Sequence, residues 1–151
     1  MVQLPKTIRL PHEAYANPDR VFHVTMRAAI GERPFTSRPT GAAIWQLVVN
    51  ERERDSIELL AACLMPDHLH ALVSPRSKDI IRWVDGFKSW STRVAQRTRP
   101  QRILWQPGFY DRAVRSGELD TTVRYILENP VAAGLVDDGE RWPWVAAWVS
   151  E

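Results

Sequence analysis

Alternating apolar and polar positions, rich in β-branched and aromatic residues, predict four strands along the chain. They cover residues 21–26, 57–64, 68–74 and 105–114. Met65-Pro66-Asp67 separates the second strand from the third, and proline and aspartate favour a tight reversal, so these two strands are predicted to form a hairpin. Pro107-Gly108 interrupts the fourth.

Apolar residues at helical spacing predict three helices, over residues 40–54, 78–98 and 118–129. The resulting order is β-α-β-β-α-β followed by a further helix. This order is typical of a ferredoxin-like α+β fold, an antiparallel sheet that carries helices on one face. The other face of the sheet is then available for a ligand.

The second predicted helix has an apolar face and a basic face. Its apolar residues fall within a sector of roughly 120° and are predicted to pack in the core; they are Ile80, Trp83, Val84, Phe87, Trp90 and Val94. The basic residues Lys78, Arg82, Arg93 and Arg97 fall on the opposite side.

The third predicted helix places a tyrosine away from its apolar face. Leu119, Val123, Ile126 and Leu127 share one sector, and Tyr125 lies nearly opposite its centre, close in angle to Glu118 and Asn129. Tyr125 and Asn129 are an i, i+4 pair and therefore neighbours on one helix surface. Pro130 is expected to end this helix.

Length and composition indicate which class of protein this is. A chain of 151 residues with 44% hydrophobic and 25% charged residues is typical of one globular domain. No apolar run approaches the roughly 20 residues that span a bilayer, and no signal peptide is visible, so a cytoplasmic location is expected. Cys63 is the single cysteine, so any metal site must use His, carboxylate or amide ligands.

Positive charge is concentrated in residues 76–102, where eight Lys and Arg residues stand against two Asp residues. The segment is therefore net positive, whereas the rest of the chain is net negative. This favours a polyanionic partner, and the candidate nucleic-acid contacts are Lys78, Arg82, Lys88, Arg93 and Arg97. A solvated helix face accounts for the same charges.

Two histidines are predicted to lie on one face of the third strand. Side chains alternate along a strand, so His68 and His70 project to the same side, about 6 to 7 Å apart. A neutral imidazole pair of this kind can hold two positions of a divalent ion. Solvated or hydrogen-bonded histidines fit the pattern equally well.

The third predicted strand and the third predicted helix carry groups that could act together in one site. Asn129 can join His68 and His70 as the third ligand of Mg²⁺ or Mn²⁺, which leaves positions for phosphate oxygens and water. Such an ion neutralises charge on a phosphoryl group that is attacked. Tyr125 is then the candidate nucleophile, and Glu118 is a conceivable general base.

Several other residues favour structural interpretations. Tyr110 is expected to be structural or to face the substrate, and Tyr15 has no candidate ligand near it in the sequence. His23 and Thr25 share a strand face and match half of a two-histidine phosphoesterase signature, but the second half is absent. The tryptophans Trp105, Trp142 and Trp144 either stack unpaired bases or fasten the chain to the fold.

Four linked motifs, in order, carry a family resemblance that runs from Val21 to about Trp144. They are Phe22-His23-Val24-Thr25, Met65-Pro66-Asp67-His68-Leu69-His70, the run from Trp105 to Arg112, and the run from Tyr125 to Val136, with Trp142-Pro143-Trp144 after them. The chain resembles the HUH single-strand DNA transposases with one tyrosine, and among them the IS200-like, REP-associated tyrosine transposases.

The resemblance implies one domain over residues 1–151, with 1–20 and 137–151 peripheral. It also implies cleavage and rejoining of single-stranded DNA beside a hairpin through a 5′-phosphotyrosine, as a transposase or a domesticated one. Tyr125 matches the family's nucleophile and His68 and His70 its metal ligands, whereas Asn129 stands where related transposases carry a glutamine. A monomer is favoured over a homodimer.

Two other functions stay open from the sequence. A non-catalytic module that binds single-stranded nucleic acid fits a ferredoxin-like sheet with basic helices, although the usual aromatic signature is missing from the central strands. A plain metal-dependent phosphodiesterase, in which Tyr125 only binds substrate, also fits the residues.

Overall fold

The computed structural model describes residues 10–137 and 141–148. Five strands form one antiparallel sheet in the order β4-β1-β3-β2-β5: β1 Val21–Arg27, β2 Ile57–Met65, β3 His68–Pro75, β4 Tyr110–Val114 and β5 Val145–Ala147. The helices are α1 Arg38–Asn50, α2 Ile80–Ala95 and α3 Leu119–Ala132. The predicted α+β class and the order of the first seven elements are confirmed.

The two faces of the sheet pack against different helices. Alternate residues of β1 and β3, such as Val24 and Leu69, share a core with α1 and α2. The intervening positions face the other way, where Leu72 of β3 packs with Val123 and Ile126 of α3. The third helix therefore covers part of the sheet face that the sequence suggested was open.

Helix α2 and strand β4 are shorter than predicted because local signals stop them. The Asp79 side chain accepts a hydrogen bond from the Arg82 amide (2.8 Å) and so caps α2, which begins at Ile80. Before β4, Gly108 adopts a φ of +75°, so the chain turns there and the strand begins only at Tyr110.

Helix α3 does not end at Pro130, and that prediction was wrong. Pro130 lies inside the last turn, and the helix continues to Ala132. It ends in a Schellman motif around Gly134, whose φ is +74°. The Leu135 amide donates to the Pro130 carbonyl and the Gly134 amide to the Val131 carbonyl, both at 2.9 Å.

The tryptophans of α2 have different environments. Trp83 is 4% exposed and lies in the core as predicted, whereas Trp90 is 46% exposed, which corrects the prediction that both are core residues. Trp90 shares the angular sector of Trp83 but lies two turns further along α2. Trp105 is also buried, and its indole N–H donates to Ser91 Oγ at 2.8 Å.

Residues near both ends of the described chain are fastened to the sheet. Tyr15 is 1% exposed and its hydroxyl donates to Asp111 (2.9 Å), so this tyrosine is structural. Strand β5, which the sequence did not predict, pairs with β2, and the Trp142 indole donates to the Leu64 carbonyl (3.0 Å).

Within residues 10–137 and 141–148, none of the helices has the length and apolar character to cross a membrane.

Candidate active site

Four polar side chains from adjacent strands share the sheet face on which α3 packs. Residues His68 and His70 come from β3, and His23 and Thr25 come from β1. Antiparallel pairing sets Thr25 directly opposite His70. Because alternate residues of a strand project to the same side, the register places all four side chains together.

The imidazoles are in direct contact. His68 Nε2 and His70 Nε2 lie 3.1 Å apart. On the far edge of the His70 ring, Nδ1 lies 3.0 Å from His23 Nε2 and 3.1 Å from Thr25 Oγ1. His68 Nδ1 lies 2.7 Å from Asp67 Oδ1.

These contacts assign a tautomer to His68 and favour one for His70. The Asp67 carboxylate only accepts hydrogen bonds, so His68 carries its proton on Nδ1 and keeps a lone pair on Nε2. When His70 Nδ1 donates to Thr25 or His23, its Nε2 also keeps a lone pair. The hydrogen bonds made by Nδ1 thus leave both Nε2 atoms ready to bind a cation.

Burial keeps the three imidazoles neutral. Burial, together with smaller contributions from the neighbouring His68, His23 and Arg27, lowers the pKa of His70 to about 3. Burial also lowers the pKa of His23 to about 4, with a smaller contribution from the Arg112 charge. The pKa of His68 is lowered as well, since burial outweighs the opposing effect of Asp67.

Tyr125 of α3 lies over this histidine cluster. Its ring centroid is 5.9 Å from that of His23 and 5.9 Å from that of His70, with both pairs edge to face. The side chain is 54% exposed, in agreement with its predicted place outside the apolar face of the helix. The nucleophile candidate and the histidines therefore meet within a single chain.

A cavity of about 460 Å³ opens beside Tyr125. Its lining includes His23, Arg112 of β4 and Glu118 from the turn before α3. The guanidinium of Arg112 and the Glu118 carboxylate form a partly exposed ion pair at 3.6 Å. A positive and a negative group thus face the space next to the phenol.

Asn129 lies one turn beyond Tyr125 on α3 and is partly buried. In the described part of the chain, no hydrogen bond joins its amide to either His68 or His70. Its role as a third ligand stays a prediction.

The residues fit a divalent ion held by two histidines. Two nitrogen ligands at about 2.1 Å from an ion and at right angles to each other lie roughly 3.0 Å apart, and the Nε2 atoms of His68 and His70 are 3.1 Å apart. Among the described residues no group of three His, Cys, Asp or Glu side chains can hold an ion. His23 does not complete a trio because it contacts the opposite edge of the His70 ring.

The sequence interpretation missed the contribution of β1. In the sequence, His23 and Thr25 match only half of a phosphoesterase signature, but the structure places both against His70. The register decides this: because Thr25 pairs with His70, both His23 and Thr25 lie on the face of the His-x-His of β3, whereas a shift by one residue would put them on the other face.

The predicted nucleic-acid contacts of α2 lie on the other side of the sheet from Tyr125, because α2 packs on the face opposite the histidines. Arg82, Arg93 and Arg97 are exposed there. Lys88 instead donates to the backbone carbonyls of Gln106 and Gly108, and so ties α2 to the loop before β4.

Comparisons with known proteins agree with this architecture. A solved structure of a REP-associated tyrosine transposase bound to a REP hairpin matches with a TM-score of 0.61 at 22% identity, over 91% of this chain and 82% of the other. A putative transposase from Deinococcus radiodurans R1 matches with a TM-score of 0.52 at 18% identity, over 72% of this chain and 88% of the other. No curated protein matches the chain. The family model described as "Transposase IS200 like" matches residues 19–129, so the chain belongs to the IS200-like transposase family.

Proposed function

We propose that this transposase cleaves and rejoins single-stranded DNA through a covalent bond to Tyr125. The phenolic oxygen attacks the phosphorus of one linkage, the bond from phosphorus to the 3′ oxygen breaks, and that oxygen leaves as a 3′ hydroxyl after taking up a proton. The product is a 5′-phosphotyrosine. Attack by a 3′ hydroxyl reverses the step and rejoins the strand.

The observation that carries the proposal is the contact of the Tyr125 ring with His23 and His70 of the same chain. The helix presents an exposed phenol next to imidazoles that remain neutral, and beside it lies a cavity large enough for a nucleotide. One copy of the chain thus supplies every group named here, which favours a monomer.

The cavity groups have complementary roles in this reaction. Arg112 carries a permanent positive charge suited to a phosphate of the bound strand. Glu118, which lines the same cavity, is the proposed acceptor of the phenol proton, directly or through a water molecule.

His68 and His70 would hold a Mg²⁺ or Mn²⁺ ion through their Nε2 atoms, with Asn129 as the proposed third protein ligand. Such an ion supplies charge neutralisation at the phosphate. Asp67 and Thr25 orient the two imidazoles through the opposite ring nitrogens.

The proposed substrate is single-stranded DNA that carries a hairpin. The matched REP-associated transposase was solved with a REP hairpin, and the exposed basic side chains of α2 suit phosphate contacts that position a nucleic acid.

The test uses a hairpin-bearing single strand labelled at its 3′ end in one reaction and at its 5′ end in another, with Mn²⁺. Denaturing electrophoresis should show the 3′ label on the protein and the 5′ label on a released fragment. Tyr125→Phe should abolish the adduct. Tyr110→Phe is the matched control, because Tyr110 is also exposed and near the site face, and it should retain the adduct.

Other outcomes select the other functions. Nicking without an adduct indicates a plain phosphodiesterase, and binding without nicking indicates a non-catalytic module. An adduct that persists in Tyr125→Phe contradicts the proposal directly.

A further inference from the structure

Arg27 ends strand β1 on the sheet face that carries the histidines. Antiparallel pairing sets it directly opposite His68, and alternation along β1 puts its side chain on the face of His23 and Thr25. Tyr110, which pairs with Thr25, has its ring 6.0 Å from Arg27 Cζ. The register and this contact place the guanidinium on the histidine face, where Arg27 is exposed.

The guanidinium of Arg27 has no ion-pair partner among residues 10–137 and 141–148, where no carboxylate lies within 4.0 Å of it. The nearby Asp67 carboxylate is instead engaged by His68 Nδ1 at 2.7 Å. Arg27 is therefore an exposed cation beside the candidate site, available to an anion from solution.

The charge of Arg27 opposes the candidate metal site unless an anion lies between them. Besides burial, this charge lowers the pKa of His68 and of His70, so positive charge at either imidazole is disfavoured. For the same reason Arg27 repels a divalent ion held by the two Nε2 atoms. A phosphate that contacts both the ion and the guanidinium replaces this repulsion with two attractions.

The order of groups along β1 identifies which phosphate this is. The Tyr125 ring contacts His23, and Arg27 follows four residues later on the same strand, about 13 Å away. His70 pairs with Thr25, midway between them. In an in-line displacement the nucleophile and the leaving oxygen lie on opposite sides of the phosphorus. With Tyr125 at the His23 end, the leaving 3′ oxygen points toward the Arg27 end.

We propose that Arg27 binds the phosphate on the 5′ side of the scissile linkage, in the DNA segment that carries the 3′ hydroxyl after cleavage. This inference rests on the proposed function, since it assigns a further contact to the same strand. The contact keeps the released segment at the site, so its 3′ hydroxyl stays in position to attack the phosphotyrosine and rejoin the strand. A guanidinium suits this role because it donates two parallel hydrogen bonds to phosphate oxygens.

A scan with single methylphosphonate linkages locates the phosphate. Each substitution removes the negative charge of one linkage in a hairpin-bearing single strand, and fluorescence anisotropy in EDTA measures binding without metal or cleavage. At the first linkage on the 5′ side of the cleaved one, the substitution should weaken binding to the wild type about tenfold, because it removes a charge-assisted contact.

Arg27→Met removes the charge at similar side-chain length, and it should fold because Arg27 is exposed. It should bind the unmodified strand about tenfold less tightly than the wild type, and it should be insensitive to substitution at that one linkage. Arg27→Lys keeps the charge and should restore most of the sensitivity. Arg38→Met is the matched control, because Arg38 is an exposed cation on α1, which packs on the other sheet face. It should show wild-type sensitivity at every linkage.

The free protein gives a second readout of opposite sign. Without DNA, Arg27→Met should bind Mn²⁺ about threefold more tightly than the wild type, because a neighbouring positive charge is removed. Isothermal titration calorimetry measures this affinity. A purely structural role for Arg27 would not strengthen one ligand while weakening the other.

Wild-type sensitivity of Arg27→Met at every linkage overturns the proposal, and so does an insensitive linkage on the 3′ side of the cleaved one. Mn²⁺ binding that is unchanged or weaker in Arg27→Met also contradicts it. These measurements need no attack by Tyr125, so their failure leaves the adduct assay intact. A failed adduct assay together with one linkage that depends on Arg27 would refute strand cleavage and support the phosphate contact.

Discussion

His68 and His70 face each other through their Nε2 atoms at 3.1 Å, while Asp67 engages the opposite nitrogen of the His68 ring. The Nε2 lone pair of His68 points toward the His70 ring, so a cation bound by both Nε2 atoms would link the two imidazoles. We therefore expect Mn²⁺ to raise the melting temperature of the protein, because an ion that binds only the folded state stabilises it. Differential scanning fluorimetry measures the shift.

His68→Ala and His70→Ala should each abolish the Mn²⁺-dependent shift. His12→Ala is the control, because His12 is exposed and far from the cluster in sequence. A shift that survives both cluster variants would place the ion elsewhere.

Asp67 is predicted to increase metal affinity without being a ligand. Although burial alone raises its pKa, the hydrogen bond with His68 and the nearby positive charge of Arg27 lower it on balance, so the carboxylate is ionised at neutral pH. Asp67→Asn should weaken Mn²⁺ binding about tenfold, since partners of this kind orient the imidazole and raise its basicity. Isothermal titration calorimetry gives the affinity. Asp85→Asn, an exposed position on α2, should leave it unchanged.

Cys63 is predicted to be unreactive in the folded protein. Its side chain is fully buried, and burial raises the pKa of the thiol to about 12, so almost no thiolate forms at pH 8. Ellman's reagent should label no thiol in the native state and one after denaturation. Ser89→Cys, on the exposed side of α2, should add one thiol that reacts at once. Rapid labelling of the native wild type would contradict the burial of β2.

The sequence alone predicted those features that depend on the residue pattern within a single strand or helix. The alternation around His68 and His70 predicted β3, and the angular position of Tyr125 predicted a phenol outside the apolar face of α3; both hold in the structure. These signals depend only on neighbours within one element, so no long-range information was needed.

What the sequence did not supply depends on pairing between distant segments. His23 joins the site only because β1 pairs with β3. The residue pattern of one strand does not specify which other strand it pairs with. Trp90 has the helical phase of a core residue, but it lines an open cavity between the end of α1 and α2 and is therefore half exposed. Pro130 lacks the amide that would bond the Ile126 carbonyl, but α3 continues to Ala132, where hydrogen bonds from the Gly134 and Leu135 amides hold the last turn.

Gly134 ends α3, and replacing it should destabilise the protein only through its backbone conformation. An added Cβ meets nothing within 4 Å, but the φ of +74° is unfavourable for any L side chain. Gly134→Ala should lower the free energy of unfolding by about 1 kcal/mol, measured by urea denaturation. Gly117→Ala is the contrast, because Gly117 has open space and no positive φ. It should be neutral or slightly stabilising, and an equal loss in the two variants would contradict the assignment.

Gly41 of α1 lies under the indole of Trp144, and a Cβ there would collide with the ring. Alanine is favoured over glycine in a helix by about 1 kcal/mol, but overpacking costs roughly 1 to 3 kcal/mol, so Gly41→Ala should destabilise the wild type. In a Trp144→Ala background the collision is absent, and the same substitution should stabilise the protein. A double-mutant cycle by urea denaturation measures the coupling. An unchanged effect of Gly41→Ala in the two backgrounds would mean that Trp144 does not pack on α1.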